Sequence, residues 1–270
     1  MMSILKSPLR YPGGKSRAIP KILKQLPESF LEFREPFVGG GSVFVTIRQK
    51  FPAVKVWIND LNFDLYCFWK IAQSNTRELA DAIAKIKNDT INGRNLFEEF
   101  RSSLNNDLSD FDRAVRFFVL NRISFSGTVD SGGYSEAAYR SRFTLSSIKR
   151  LLSLGSLLQN VKITNLDYKD VIHEPGNNVF IFLDPPYLVA TKSRLYGKNG
   201  DLHLGFEHAE FANEMKECQH HWLITYDDSA EIRQNFSYAT LYEWELQYGM
   251  NNYKQNNAAK GKELFIANYP

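Results

Sequence analysis

The sequence predicts an α/β chain, a doubly wound sheet of mostly parallel strands interrupted midway by a mostly helical insertion. Three observations predict it. The first sixty residues read strand, glycine turn, helix, strand, acid. Strands of the buried parallel type are missing between about residues 65 and 158. They return at Val179-Phe180-Ile181-Phe182-Leu183 and at Trp222-Leu223-Ile224-Thr225-Tyr226. Short apolar runs without alternation suit strands covered on both faces, and strand–helix–strand order places such strands side by side.

Each element has its own signal. Residues 1–20, rich in Pro, Gly and basic side chains, read as an irregular lead-in. Ile19 to Leu26 reads as a short amphipathic helix stopped near Pro27. Phe33 to Val38 is a strand running into Gly39-Gly40-Gly41-Ser42, Val43 to Lys50 a helix, and Val54 to Ile58 a strand closed by Asn59-Asp60. Apolar spacing is helical from Leu61 to about Lys87, then from Phe97 to Leu104 and from Asp112 to Arg122. Ser-Gly turns place a hairpin or irregular loop at about 123–143. Leu145 to Leu158 is again helical, and Val161 to Thr164 is a short strand. Thr240 to Tyr248 and Glu263 to Asn268 suit an antiparallel pair around the polar loop Asn251 to Lys262. The expected division is 1–64 and 159–270 as two halves of one sheet domain, with 65–158 as the insertion.

Composition narrows the class. The chain has 270 residues, 43% hydrophobic and 14% aromatic, enough for a large core. No apolar run reaches membrane-span length, and Met1 to Lys6 lacks a signal-peptide core. Cys67 and Cys218 are the only cysteines, which excludes a disulfide framework and a four-cysteine zinc site and fits a reducing, cytoplasmic setting. Net charge is +3, unevenly spread. From Arg113 to Arg150 seven basic residues face two acids, giving +5 and leaving −2 for the rest. A basic segment on a near-neutral body suits a polyanion, and equally a solvated helical face.

Three motifs carry chemistry. Asp184-Pro185-Pro186-Tyr187 follows five apolar residues, at the carboxyl end of a strand, where open α/β sheets bind ligands. The Asp184 carboxylate and the Pro185 carbonyl are two acceptors for the N–H groups of an amine, with Tyr187 as a stacking surface. In Glu35-Pro36-Phe37-Val38-Gly39-Gly40-Gly41-Ser42-Val43-Phe44 the glycines permit a tight strand-to-helix turn and close ligand approach. Asp60, 19 residues beyond Gly41, ends the next strand and can accept both hydroxyls of a ribose. Tyr11-Pro12-Gly13-Gly14-Lys15-Ser16 fails as a phosphate loop, because Leu9 stands where the leading glycine belongs. Lys15 is better read as meeting a carboxylate, with Tyr11 packed on a ligand. His203, Glu207 and His208 lack the spacing of a zinc-binding helix, and His220-His221 reads as structural.

These motifs, in this order, resemble the Dam-type (D12 class) family of DNA adenine-N6 methyltransferases, from about Leu9 onward. Asn121-Arg122-Ile123-Ser124-Phe125-Ser126-Gly127 is similar to the family segment that leads into a DNA-reading hairpin. The resemblance implies a Rossmann-like S-adenosylmethionine-dependent sheet with an inserted, mostly helical DNA-recognition domain. It implies catalysis by Asp184, Pro185, Pro186 and Tyr187 on a flipped adenine, without metal, with S-adenosylhomocysteine as product. Tyr11, Lys15, Asp60 and Asp184 would contact the cofactor. Pro36, Phe37, Gly39, Gly41 and Ser42 would line its methionine end, and Asp167 and Tyr168 its adenine. Arg116, Asn121, Arg122, Ser126, Arg140 and Arg142 would meet double-stranded DNA. Many members carry Ala where this chain has Gly40, which implies a slightly looser turn. A bacterial or phage host and a cognate restriction endonuclease are further family implications.

Three rivals stay open at this point. Cytosine-N4 methylation uses the same amine chemistry, although Asp184 stands where such enzymes more often resemble Ser-Pro-Pro-Tyr. A silent DNA-binding module would not need the intact tetrapeptide. An NAD enzyme would need a third glycine where Phe44 stands.

Overall fold

The computed structural model describes residues 5–103, 107–188, 205–246 and 261–270. Seven strands form one sheet: β1 Glu32–Glu35, β2 Lys55–Asn59, β3 Lys162–Thr164, β4 Val179–Leu183, β5 His221–Asp227, β6 Thr240–Leu246 and β7 Gly261–Ala267. Their order is β3-β2-β1-β4-β5-β7-β6. The first five are parallel, whereas β7 enters antiparallel between β5 and β6. This is the expected Rossmann-like sheet, and the strand order reverses between β1 and β4.

Alternation along β4 shows why the strand is apolar throughout. Phe180 and Phe182 enter one core, and Val179, Ile181 and Leu183 enter the other. The first core is covered by α2 (Ser42–Lys50), α3 (Phe63–Ser74), α6 (Asp110–Ile123) and α8 (Leu145–Leu157). The second is covered by α9 (Tyr168–His173), α10 (His208–Glu217) and α11 (Ala230–Asn235). The helices α3, α6 and α8 therefore share one core with the sheet. Every residue from Ala114 to Ile123 in α6 is buried, and Phe118 stacks on Phe68 of α3 with ring centroids 6.0 Å apart. Side-chain caps start α3 and α8: Asn62 accepts Leu65 N–H at 3.1 Å, and Thr144 and Ser147 form a reciprocal box at the start of α8.

Several elements differ from expectation. The helical stretch from Leu61 to Lys87 breaks at Asn75, whose φ of −132° is not helical, into α3 and α4 (Thr76–Asp89). The strand expected to run to Val38 stops at Glu35, because Pro36 has no N–H for the ladder. The helix expected from Ile19 to Leu26 is α1, Ile19–Ile22. The hairpin at 123–143 reduces to one antiparallel bridge, Ser124 with Tyr134, after a single turn at Phe125–Gly127. Ser135 then caps a helix, α7 (Glu136–Arg142), by accepting Ala138 N–H at 3.2 Å. The helix expected from Phe97 to Leu104 starts a turn earlier, as α5 (Gly93–Ser102), and Leu104 lies outside the described residues.

Candidate active site

The carboxyl ends of β1, β2 and β4 place Pro36, Asp60 and Asp184 around the point where strand order reverses. A cavity of about 640 Å³ opens there. Tyr11, Lys15, Pro36, Phe37, Gly39, Gly41, Ser42, Asp60, Asp167, Tyr168 and the tetrapeptide Asp184 to Tyr187 all line it.

The glycine turn is set by backbone geometry. Gly39 and Gly41 have φ of 45° and 68°, the left-handed region that disfavours side chains. A Cβ on Gly41 would also lie 2.4 Å from the Phe44 ring. Gly40 has an ordinary φ, but a Cβ there would lie 2.7 Å from the Tyr11 Cβ. Gly40 thus leaves room for Tyr11 to lie directly on the turn. The Trp69 indole donates to the Gly39 carbonyl at 3.3 Å and holds the turn from behind.

Asp60 accepts Gly39 N–H at 2.9 Å and Asn62 N–H at 3.0 Å, one on each oxygen. Each oxygen keeps a lone pair for a further donor. Burial outweighs these bonds and pushes the carboxyl up to about 6. Glu35, fully enclosed, accepts Phe44 N–H at 2.8 Å, and burial raises it well above the ordinary range. Phe37 and Tyr168 pack with centroids 5.5 Å apart at 31°. Asp167 caps α9 by accepting Lys169 N–H at 2.9 Å, which fixes Tyr168 at the cavity edge.

Lys15 Nζ lies 2.6 Å from Asp184 Oδ1 and 4.8 Å from the Tyr187 ring centroid. It also donates to the Gly13 carbonyl at 2.9 Å. The Thr225 hydroxyl donates to the same Oδ1 at 2.8 Å. Among the described residues Asp184 Oδ2 accepts no hydrogen bond, so a lone pair remains there for an N–H donor. The Tyr187 hydroxyl donates to Glu263 at 2.7 Å. Sequence reasoning missed Thr225, Glu35 and Glu263. The available signal for Glu263 was an acid heading the apolar run Leu264-Phe265-Ile266.

The residues expected on DNA separate into two groups. Arg116 is 2% exposed, with its guanidinium on Asp64 and on the Ser103 carbonyl at 2.9 Å. Arg122 is 4% exposed and donates to the carbonyls of Arg142 at 2.8 Å and Pro8 at 3.0 Å. Asn121 is fully buried and bonds the backbone of Arg10 and Gly127. In this structure these three are turned inward, within the buried stretch Ala114 to Ile123 of α6, and bond neighbouring side chains and backbone. Arg140 and Arg142 are exposed, Arg140 pairing with Glu136 at 2.6 Å. Ser126 is half-buried at φ 55°. His203 lies outside the described residues, while His208 is buried with Nδ1 2.6 Å from the Tyr226 hydroxyl. Among the described residues no group of three or more His, Cys, Asp or Glu could hold a metal, and no helix is long and apolar enough to cross a membrane.

The chain is similar to several known methyltransferases. It is 28% identical over 203 residues to the type II methyltransferase M.MjaIII of Methanocaldococcus jannaschii, covering 68% of this chain and 70% of that one. It is 25% identical over 215 residues to the type II methyltransferase M1.LlaDCHI of Lactococcus lactis subsp. cremoris, covering 74% and 72%. It is 27% identical over 182 residues to the DNA adenine methylase of Escherichia coli K12, covering 66% and 64%. The signature of the D12 class of N6 adenine-specific DNA methyltransferases matches residues 11–250. With that match spanning the glycine turn, Asp60 and the Asp184 tetrapeptide, the chain belongs to the D12 class N6 adenine-specific DNA methyltransferase family.

Proposed function

We propose that this protein methylates adenine N6 in double-stranded DNA, with the cavity described above as the shared cofactor and base site. The observation that carries the reading is Asp184, held at the end of β4 by Lys15 and Thr225 through one oxygen, in a cavity it shares with Asp60. S-adenosylmethionine, when bound, supplies an electrophilic methyl group. The residues present fit it. Asp60 suits the ribose hydroxyls, Gly39 and Gly41 open the backbone to close approach, and the Phe37–Tyr168 pair offers apolar surface for an adenine ring. Asp167 and Ser42 also line the cavity.

The chain's own chemistry is positioning and hydrogen bonding. The N6 lone pair of adenine is delocalised into the ring. Asp184 and the Pro185 carbonyl accept its two N–H groups and draw the nitrogen toward tetrahedral geometry, while Tyr187 stacks on the base. Pro186 stiffens the turn between them. The base must leave the duplex to reach this pocket. The adenine-specific family disfavours the cytosine alternative.

For DNA we assign the surface around Arg10, Arg140, Arg142 and Ser126, within residues 65–158 and the lead-in they hold. Arg10 and Arg122 are both pushed down, first by burial and then by neighbouring arginines, Arg142 among them, and Arg122 reaches about 9. A crowd of like charge is relieved by a phosphate. The type II names of two relatives support a paired restriction endonuclease as partner.

The test is to incubate unmethylated DNA with the protein and labelled S-adenosylmethionine, digest to nucleosides, and run Asp184→Ala alongside. Label in N6-methyladenine with wild type alone supports the reading. Label in N4-methylcytosine, or equal label from the variant, overturns it.

A further inference from the structure

Glu263 heads the buried run Leu264 to Ala267 of β7, after the exposed Lys262, and is itself 1% exposed. Burying a carboxylate is costly unless hydrogen bonds compensate. Its partner is the Tyr187 hydroxyl at 2.7 Å, 76 residues away in sequence. In the antiparallel register Glu263 faces Asp227 of β5, and Asp227 Oδ1 accepts Leu188 N–H at 3.1 Å. The two residues that follow Asp184-Pro185-Pro186 are thus each held by an acid, Tyr187 by Glu263 of β7 and Leu188 by Asp227 of β5. The tyrosine ring also lies beneath Lys15, which holds Asp184.

We propose that Glu263 is a positioning residue for methyl transfer: by accepting the Tyr187 hydroxyl proton it fixes the ring that the target base stacks on, in register with Asp184. The proposal rests on the adenine-methylation reading given above. A tyrosine ring swings about χ1 and rotates broadly about χ2, so anchoring its far end removes freedom that packing alone leaves. Reaction rate is steep in such placement. Burial, with the nearby Asp184 and Asp227, pushes Glu263 up to about 7, while Lys15 and the Tyr187 hydroxyl oppose that rise by favouring the anion.

The experiment measures methylation kinetics of wild type, Glu263→Ala, Glu263→Gln, Tyr187→Phe and the Ala/Phe double variant, with melting temperatures alongside. Glu263→Ala is expected to lower kcat by about 10- to 100-fold. Its KM values for S-adenosylmethionine and DNA should stay within about threefold. Glu263→Gln should recover most of kcat, since an amide carbonyl accepts the same hydroxyl. Tyr187→Phe keeps the ring and loses the proton, so it should match Glu263→Ala, and the double variant should be no slower than either single. A Tyr187→Phe enzyme at wild-type kcat overturns the proposal, and does so even if Glu263→Ala fails to fold. Single effects that multiply in the double variant, or a change confined to KM, overturn it as well. Wild type that labels no adenine overturns the reaction itself, a result distinct from wild type that labels adenine beside equally active variants.

Discussion

The side-chain amide of Asn121 brackets the backbone of Arg10: Oδ1 accepts the Arg10 N–H at 2.9 Å, and Nδ2 donates to the Arg10 carbonyl. The same Nδ2 reaches the Gly127 carbonyl at 2.9 Å. One buried amide thereby joins the segment that leads to Tyr11 and Lys15 with the turn that follows α6. Asn121→Ala would leave these backbone groups unpaired, at roughly 1–3 kcal/mol for each one that stays buried. We expect a loss of at least about 2 kcal/mol in urea unfolding together with weaker cofactor binding. An unchanged midpoint would show that water replaces the amide without cost.

Exposed and buried arginines should separate in a salt titration. Arg142→Ala should weaken binding to any DNA sequence and flatten the salt slope by about one unit. Arg122→Ala should lower the melting temperature, because it strands the Arg142 and Pro8 carbonyls that Arg122 now caps. A slope change for Arg122→Ala with wild-type stability would restore that residue to the DNA surface.

The glycine turn makes a graded prediction. Gly41→Ala meets both a left-handed φ and the Phe44 ring, so it should destabilise the fold by about 1–3 kcal/mol or more. Gly40→Ala meets only Tyr11, so it should leave stability near wild type and weaken S-adenosylmethionine by several-fold as Tyr11 shifts. Calorimetric titration and thermal melts of the pair distinguish the two; the reverse ranking would contradict this geometry.

Asp60 gives a pH signature. Its ordinary value is 3.8, and burial pushes it up to about 6 in the folded protein. Below both values each state holds the proton. Between them the unfolded chain releases it while the folded site keeps it, so stability falls as pH rises through this window and then levels off. Cofactor affinity should run the opposite way over the same window, because ribose hydroxyls bind the carboxylate better than the acid. Asp60→Asn should remove both trends. Melting and binding measured from about pH 4.5 to 7 check this; a variant that keeps the wild-type binding profile would rule Asp60 out of the ribose site.

Asp184→Asn keeps the shape and loses the charge that Lys15 pairs. Turnover should fall by about 10²- to 10³-fold while cofactor binding persists. Single-turnover labelling with a parallel binding titration separates the two effects.

Legibility followed the distance over which each residue acts. Asp184 and Asp60 could be read because each ends an apolar strand, and strand ends gather at one edge of an open sheet. The sheet's antiparallel pair was legible from two β-rich runs flanking a polar loop. The burial of Arg122 was not legible because charge in a sequence says nothing of depth. Only the packing of α6 against its neighbours turns that guanidinium inward. The break at Asn75 hid in continuous helical spacing. Glu263 was missed because its meaning lies in a hydroxyl 76 residues away.

The late strand β7 also governs how the protein comes into being. It slides between β5 and β6, so β6 has no neighbour in the sheet until residues 261–267 exist. A growing chain that already carries Lys15, Asp60 and Asp184 still lacks one wall of the cavity, and Tyr187 still lacks its anchor. Synthesis that halts before residue 261 therefore leaves β6 unpaired and the stacking ring of Tyr187 untethered, so the cavity is completed only by the last part of the chain.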